Sequence, residues 1–258
     1  MNPEQVLITG ASSGIGLELA KCFAAEGSRL VLTARNTVAL QTLADELRSA
    51  HHTESIIITA DLSSSGAPKN IFTELQGRGI AVDVLVNNAG FGAWGLFADV
   101  PLQGQLEMLQ VNINALIELS GLFLPGMLQR RRGGIMNVAS VAGFLPGPGM
   151  AVYYATKACV LSFTEALAEE LRGTNVTVTA LCPGPTATNF GRVAKADKAR
   201  MIRQARTSAE EVARCGLNAF RKRRTVVVSG WQNRFLTLLI RLFPRSAVRK
   251  LAGKFNGL

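Results

Sequence analysis

The stretch AVYYATKACV, residues 151–160, holds the only two tyrosines of the chain, Tyr153 and Tyr154, with Lys157 one helical turn beyond them. A phenol can give or take a proton, but at a pKa of ~10 it is a poor reversible acid/base near neutrality unless a cation stabilises the phenolate. Lys157 is placed to be that cation. On a helix turning ~100° per residue, positions four apart lie ~40° apart and positions three apart ~60° apart, so either ring can approach it. Helix geometry therefore leaves both tyrosines open. A second stretch with chemical content is TGASSGIG, residues 9–16. Gly10, Gly14 and Gly16 let the backbone turn tightly and approach a pyrophosphate, and the amides of Ser12, Ser13, Gly14 and Ile15 open a helix whose dipole favours an anion. Taken alone, such a turn also serves as a plain strand-to-helix connection.

The elements that must position these groups alternate along the chain. Strands are predicted at QVLIT (5–9), RLVLTA (29–34), SIIITA (55–60), DVLVNN (83–88), GIMNVAS (134–140) and NVTVTALC (175–182). Their cores are apolar without polar alternation, as in strands buried on both faces. Helices are predicted at about 14–26, 36–50, 67–78, 102–129 and 151–172, and RTVVVSG (224–230) supplies a seventh strand. Strand, helix, strand in succession implies right-handed parallel crossovers, hence an α/β fold with a doubly wound, seven-stranded parallel sheet flanked by helices on both faces.

At 258 residues, 48% apolar and 18% charged, the chain is long enough for one domain with a full core and is neither disordered nor fibrous in composition. The cysteines form no CxxC pair and have no histidine at ligand spacing, so no metal and a reducing, cytoplasmic setting are expected. His51 and His52 read as a helix end. The start MNPEQVLITG enters a strand within five residues, so no signal peptide is expected. The net charge of +10 is uneven: residues 1–190 carry eleven Lys or Arg against fifteen Asp or Glu, and residues 191–258 carry seventeen against three.

Five motifs fall in the order and register of the classical short-chain dehydrogenase/reductase family, which the chain resembles over roughly residues 5–190. They are TGxxxGxG, NNAG at 87–90, Asn112 in QVNINA, Ser140, and Tyr153-x-x-x-Lys157. The resemblance implies a Rossmann fold, with a cofactor-binding half at about 1–140, a catalytic helix and substrate region at about 141–230, and a basic apolar tail at 231–258. It implies hydride transfer between a nicotinamide and a carbonyl or secondary alcohol. Tyr153 lies 13 residues after Ser140, as in the family, which implies that Tyr153 is the acid/base and Tyr154 a packing residue. Ser140 would donate to the substrate oxygen, and Lys157 would also hold the nicotinamide ribose. Asn112, which follows Val111 as the family's asparagine follows a valine, would support a proton relay to Lys157, with Asn114 as its competitor.

The same resemblance assigns the rest of the cofactor site. Asp61 and Leu62 would contact the adenine, Asp61 serving alternatively as an N-cap. Asn87 would hold the sheet, and Asn88, Ala89 and Gly90 would line the cofactor's path. Pro183 and Gly184 would turn the chain across it, with Thr188 on the carboxamide. Thr186 stands at a position usually apolar in the family and leaves open which threonine makes that contact. The second strand ends in Ala34 and Arg35. Where an acidic residue at this strand end holds a free ribose 2′-hydroxyl, an arginine pairs bidentately with a 2′-phosphate, so NADP(H) is the expected cofactor. An ordinary solvated role for Arg35 is the competing reading.

Phe91, Trp94, Phe97 and residues 144–148 would line the substrate pocket by family analogy, and residues 191–220 would form its variable side, with a capping signal from Ser208 to Glu211. An apolar pocket with a basic rim suits a lipophilic ketone or a 3-oxoacyl thioester, although a solvated basic face would look the same. In RFLTLLIRLF, Arg234 and Arg241 share a stripe among apolar residues. The segment is too short and charged to span a bilayer but suits either an anionic membrane surface or packing against a subunit. A nucleotide-sensing protein without turnover and a membrane-docked scaffold are the other functional classes. No nucleic-acid recognition motif is present, and a homodimer or homotetramer follows by family analogy only.

Overall fold

The computed structural model describes residues 3–194 and 207–257. Seven strands, β1 (Gln5–Thr9), β2 (Arg29–Ala34), β3 (Ser55–Thr59), β4 (Val84–Asn87), β5 (Gly133–Val138), β6 (Val176–Cys182) and β7 (Val226–Val228), form one parallel sheet in the order β3-β2-β1-β4-β5-β6-β7. Val6 is registered with Leu30 on one side and Val84 on the other. The winding reverses between β1 and β4, and in doubly wound sheets that switch point opens a crevice at the carboxyl ends of the strands. The glycine-rich turn leaves β1 there, and NNAG leaves β4 beside it.

Strand alternation sorts the core into two layers. Val6, Ile8, Leu30 and Leu32 pack on one face with Leu19 and Phe23 of α1 (Gly14–Ala25), Leu40, Leu43 and Leu47 of α2 (Thr37–His51), and further helix residues near the C-terminus. Leu7, Val31, Leu85 and Ile135 face the opposite layer, with Ile71 and Leu75 of α3 (Ala67–Gly77) and with Leu119, Phe123 and Met127. A polar thread runs between the layers. Asn87 donates to Asn137 Oδ1 at 2.9 Å and to Ser120 Oγ at 3.1 Å, and Asn137 donates to Thr164 Oγ1 at 3.0 Å. Asn87 is thus part of the sheet's framework.

The helix expected at 102–129 is three pieces: α4 (Leu102–Leu109), a π-turn at Gln110–Asn114, and α5 (Ala115–Arg130). A π-turn inserts a residue and changes which side chains face inward, and such turns recur at functional sites. Here it buries Asn112 and leaves Asn114 exposed, donating to Gln110 Oε1 at 2.9 Å. The two asparagines therefore differ in placement, Asn112 inside the protein and Asn114 at its surface. Leu102–Arg130 is apolar and long enough to cross a bilayer, yet Met108, Leu119, Phe123 and Met127 are packed into the protein's own core.

The catalytic-helix candidate is α6 (Ala151–Glu170). Further on, α7 (Ala209–Arg221) opens on the expected box, with Ser208 Oγ accepting from Glu211 N and Glu211 Oε2 accepting from Ser208 N, both at 3.1 Å. His51 ends α2 and His52 caps it in the left-handed region. The tail forms α8 (Trp231–Leu239), a 3₁₀ turn at Ile240–Leu242, and α9 (Arg245–Asn256). The last helix was not anticipated, although Pro244 before it and Val248, Leu251, Ala252 and Phe255 at helical spacing carry its signal.

Candidate active site

The crevice at the β1/β4 switch point is a cleft of about 600 Å³. Along it stand Gly10, Ser12, Ser13, Gly14 and Ile15 of the first turn, Arg35, Asp61 and Leu62 at one end, and Asn88, Ala89 and Gly90 after β4. Ser140, Tyr153, Lys157, Pro183, Gly184, Thr186 and Thr188 complete its length. Two candidates from sequence do not line it. Gly16 lies beneath the turn, where an added Cβ would collide with the Asn88 amide and the Gly10 carbonyl. Its contribution is close packing of α1 on the strands, the part the third glycine of such fingerprints plays. Asn112 sits behind Gly90: a Cβ on Gly90 would lie 3.0 Å from Asn112 Oδ1 and 3.6 Å from Lys157 Nζ.

The cleft fits a dinucleotide on its own geometry. Gly10 and Gly14 take φ values of +65° and +59°, a region other residues adopt at a cost. Helix α1 has no acidic residue in its first turn, and Ser13 makes no side-chain cap, so its leading amides present their dipole to an anion. Asn88 fixes the turn by donating to the Thr9 and Gly10 carbonyls at 2.8 and 3.1 Å.

Arg35 is exposed at the mouth of the cleft, beside Asn36, which caps α2 by accepting from Ala39 N at 3.0 Å. Asp61 accepts from Ser63 N at 3.0 Å and Ser63 Oγ at 2.8 Å. Those bonds, the backbone one foremost, hold its carboxyl below the usual range, with Arg35 adding to the effect. Asp61 therefore braces its own turn. It is not the N-cap of α3, which begins after Gly66.

At the middle of the cleft, α6 presents Tyr153 and Lys157 toward the end of β5. Ser140 caps the 3₁₀ turn Val141–Phe144, with its Oγ accepting from Ala142 N at 3.1 Å and donating to the Pro183 carbonyl at 3.4 Å. Ser140 also hydrogen-bonds the Tyr153 side chain. Burial pushes the Tyr153 phenol up to about 12, only partly offset by that bond. Lys157 donates to the Val138 carbonyl at 2.7 Å, its Nζ 5.9 Å from the Tyr153 ring centre, and burial draws its ammonium down to about 8. The bond that lowers the phenol is thus Ser140's; the lysine is tethered one step away. Asn112 is committed as well: its amide donates to the Phe91 carbonyl (2.9 Å) and Thr156 Oγ1 (3.1 Å) and accepts from Phe91 N (3.1 Å).

The substrate end differs in part from expectation. Phe91 lines the cleft, joined by Phe190, whose ring centre lies 5.1 Å from that of Tyr153, and by Val111, Val193 and Glu107. Phe97 points to solvent, and Trp94 packs behind the cleft with Tyr154 and Leu145. Phe190 was missed because it follows PGPTATN with no motif of its own. The basic stretch 195–206 lies outside the described residues.

The wall behind the cleft is fastened by the far end of the chain. Asn256, fully buried, accepts from Trp94 Nε1 (2.8 Å) with its carbonyl and from Tyr154 OH (3.2 Å) with Oδ1, and donates to the Pro148 carbonyl (2.8 Å). Asn256→Ala removes both side-chain bonds and is expected to cost about 1–3 kcal/mol. Urea unfolding checks this through a lower midpoint at unchanged slope.

A dinucleotide cleft at the switch point of a Rossmann sheet, with a serine, a tyrosine and a lysine converging on its middle, defines a class of nucleotide-dependent proteins. A family model described as short chain dehydrogenase matches residues 4–199, and the chain belongs to that family. It is similar, at 36% identity over 176 residues, to a very-long-chain 3-oxoacyl-CoA reductase of Laccaria bicolor, covering 67% of this chain and 52% of that one. The chain spans about three fifths or less of the length of several curated relatives it matches. Among solved structures it is similar to a short-chain dehydrogenase from Sphingobium yanoikuyae in complex with NADPH, at 31% identity and TM-score 0.83, over 94% of this chain and 97% of that one. A family member from Burkholderia phymatum, in complex with NAD, matches at 29% identity and TM-score 0.84 over 92% of each chain.

Proposed function

We propose that the protein is an NADP(H)-dependent oxidoreductase that interconverts a lipophilic carbonyl compound and its secondary alcohol. The observation that carries this reading is the convergence of Ser140, Tyr153 and Lys157 on the cleft between the glycine-rich turn and the Phe91–Phe190 wall. When bound, the nicotinamide supplies or accepts the hydride. The first-turn amides and Arg35 would hold its pyrophosphate and 2′-phosphate, and Lys157 its ribose. Tyr153, kept protonated by burial, is the proton donor to the carbonyl oxygen, which suits the reductive direction. Ser140 fixes that oxygen and steadies the phenol. Asn112 holds Gly90 and Phe91 in place beside the ring. Phe91, Phe190, Val111 and Val193 favour an apolar substrate.

A 3-oxoacyl thioester is the second reading, favoured by the likeness to relatives named very-long-chain 3-oxoacyl-CoA reductase and ketoacyl reductase. We place the enzyme in the cytoplasm as a homodimer or homotetramer, an assembly supported by exposed Leu102, Leu106 and Ile117 on α4 and α5. Following NADPH oxidation with a panel of lipophilic ketones and 3-oxoacyl thioesters tests the function. Turnover of a ketone supports the first reading and of a thioester the second; failure with every carbonyl, despite tight NADPH binding, means a nucleotide-sensing protein.

The lysine sets a pH dependence. Its ammonium is charged below about 8 and neutral above, so kcat/KM for reduction is expected to hold at lower pH and fall above about 8. The folded-state value lies below the 10.5 of a free lysine, so the folded chain releases this proton first. Stability without cofactor therefore gains from Lys157 as pH rises from about 8 to 10.5. Thermal unfolding of the wild type against Lys157→Met across that range isolates the gain, which the variant lacks.

A further inference from the structure

Trp231, Phe235, Leu238 and Leu242 recur at helical spacing through α8 and the turn after it, and they are 78%, 61%, 55% and 81% exposed. A stripe of this kind ordinarily faces a core. Here the opposite side of α8 does the anchoring: Thr237 is buried, and Asn233 donates to the Ser229 carbonyl at 2.8 Å while resting against Gly184. Phe243 on the following loop and Leu251 and Phe255 on α9 are exposed as well.

Charge identifies the occupant. Arg234, Arg241, Arg245, Arg249, Lys250 and Lys254 lie exposed on α8, the turn after it and α9, and no Asp or Glu follows Glu211 in the chain. A second copy seated symmetrically on this face would set six cations against six. An anionic lipid surface instead takes large apolar side chains at the headgroup boundary and cations on its phosphates. We propose that α8 and α9 form a docking surface for an anionic membrane. Because Asn233 abuts the Gly184 turn and Asn256 fastens Trp94, Tyr154 and Pro148, docking holds the wall of the cleft close to the bilayer. Direct entry of a lipophilic substrate from the lipid rests on the function proposed above; the docking itself does not.

The test is co-sedimentation of the full chain, without substrate or cofactor, with phosphatidylcholine vesicles containing about a third phosphatidylserine, and with phosphatidylcholine alone. Binding to the anionic vesicles is expected, at least tenfold stronger than to the neutral ones. Arg234→Gln with Arg241→Gln should weaken it by roughly fivefold per cation. Trp231→Ser with Phe235→Ser should abolish it while circular dichroism and NADPH affinity stay at wild-type values. Absence of vesicle binding overturns the proposal, as does binding that ignores lipid charge or both sets of variants. If the Trp231/Phe235 variant dissociates an oligomer that never bound vesicles, the face is a subunit contact and the proposal falls.

Discussion

Tyr153→Phe is expected to lower kcat for carbonyl reduction by about 10³-fold, within the 10²–10⁴ range that positioned proton transfer contributes. The ring, its packing on Phe190 and the walls of the cleft survive the change, and only the hydroxyl is lost. NADPH affinity should stay within about twofold, because the leading amides of α1 and Arg35 are untouched. Tyr154→Phe is the matched control. Its hydroxyl bonds Asn256 on the far side of the wall, so it should cost stability, about 1 kcal/mol, with kcat largely kept. Stopped-flow kinetics of both variants decides between the tyrosines. Loss of turnover in Tyr154→Phe with survival in Tyr153→Phe would reverse the assignment.

Arg35→Asp should invert the cofactor preference. A guanidinium on a 2′-phosphate makes charge-assisted hydrogen bonds worth roughly 1.5–3 kcal/mol, about 10- to 100-fold in affinity, and a carboxylate there adds repulsion. The same carboxylate can accept from a free ribose hydroxyl, so NADH binding should improve. Arg35 is exposed, and the wild-type preference should therefore shrink as salt rises. Titrations of both nucleotides at low and high ionic strength check both statements. An unchanged NADPH affinity in the variant would leave Arg35 a solvated helix-entry residue.

The strands were legible because residues buried on both faces leave uninterrupted apolar runs, such as VLIT and LVNN, and all seven lie where those runs lie. The site was legible where chemistry demands a residue type at a fixed spacing: Gly10 to Gly14, Ser140, and Tyr153 to Lys157. Gly16, the third glycine of the fingerprint, packs under the turn while Gly14 faces the cleft, a distinction that place in the motif carries and residue type alone does not. The site was illegible where packing decides. The π-turn that buries Asn112 is a property of how α4 and α5 settle on the body. Asn256 has no sequence signal, because its partners lie 102 to 162 residues away. Phe190 and Phe97 look equivalent in sequence, and only the tertiary fold turns one toward Tyr153 and the other to solvent.

Fluorescence titration of the full chain with NADPH and NADH side by side reads out whether the cleft is built for NADP(H) and carbonyl reduction. NADPH should bind at least tenfold more tightly than NADH. Equal affinities, or tighter NADH, would contradict the assignment to Arg35 and remove the main support for reduction as the enzyme's direction.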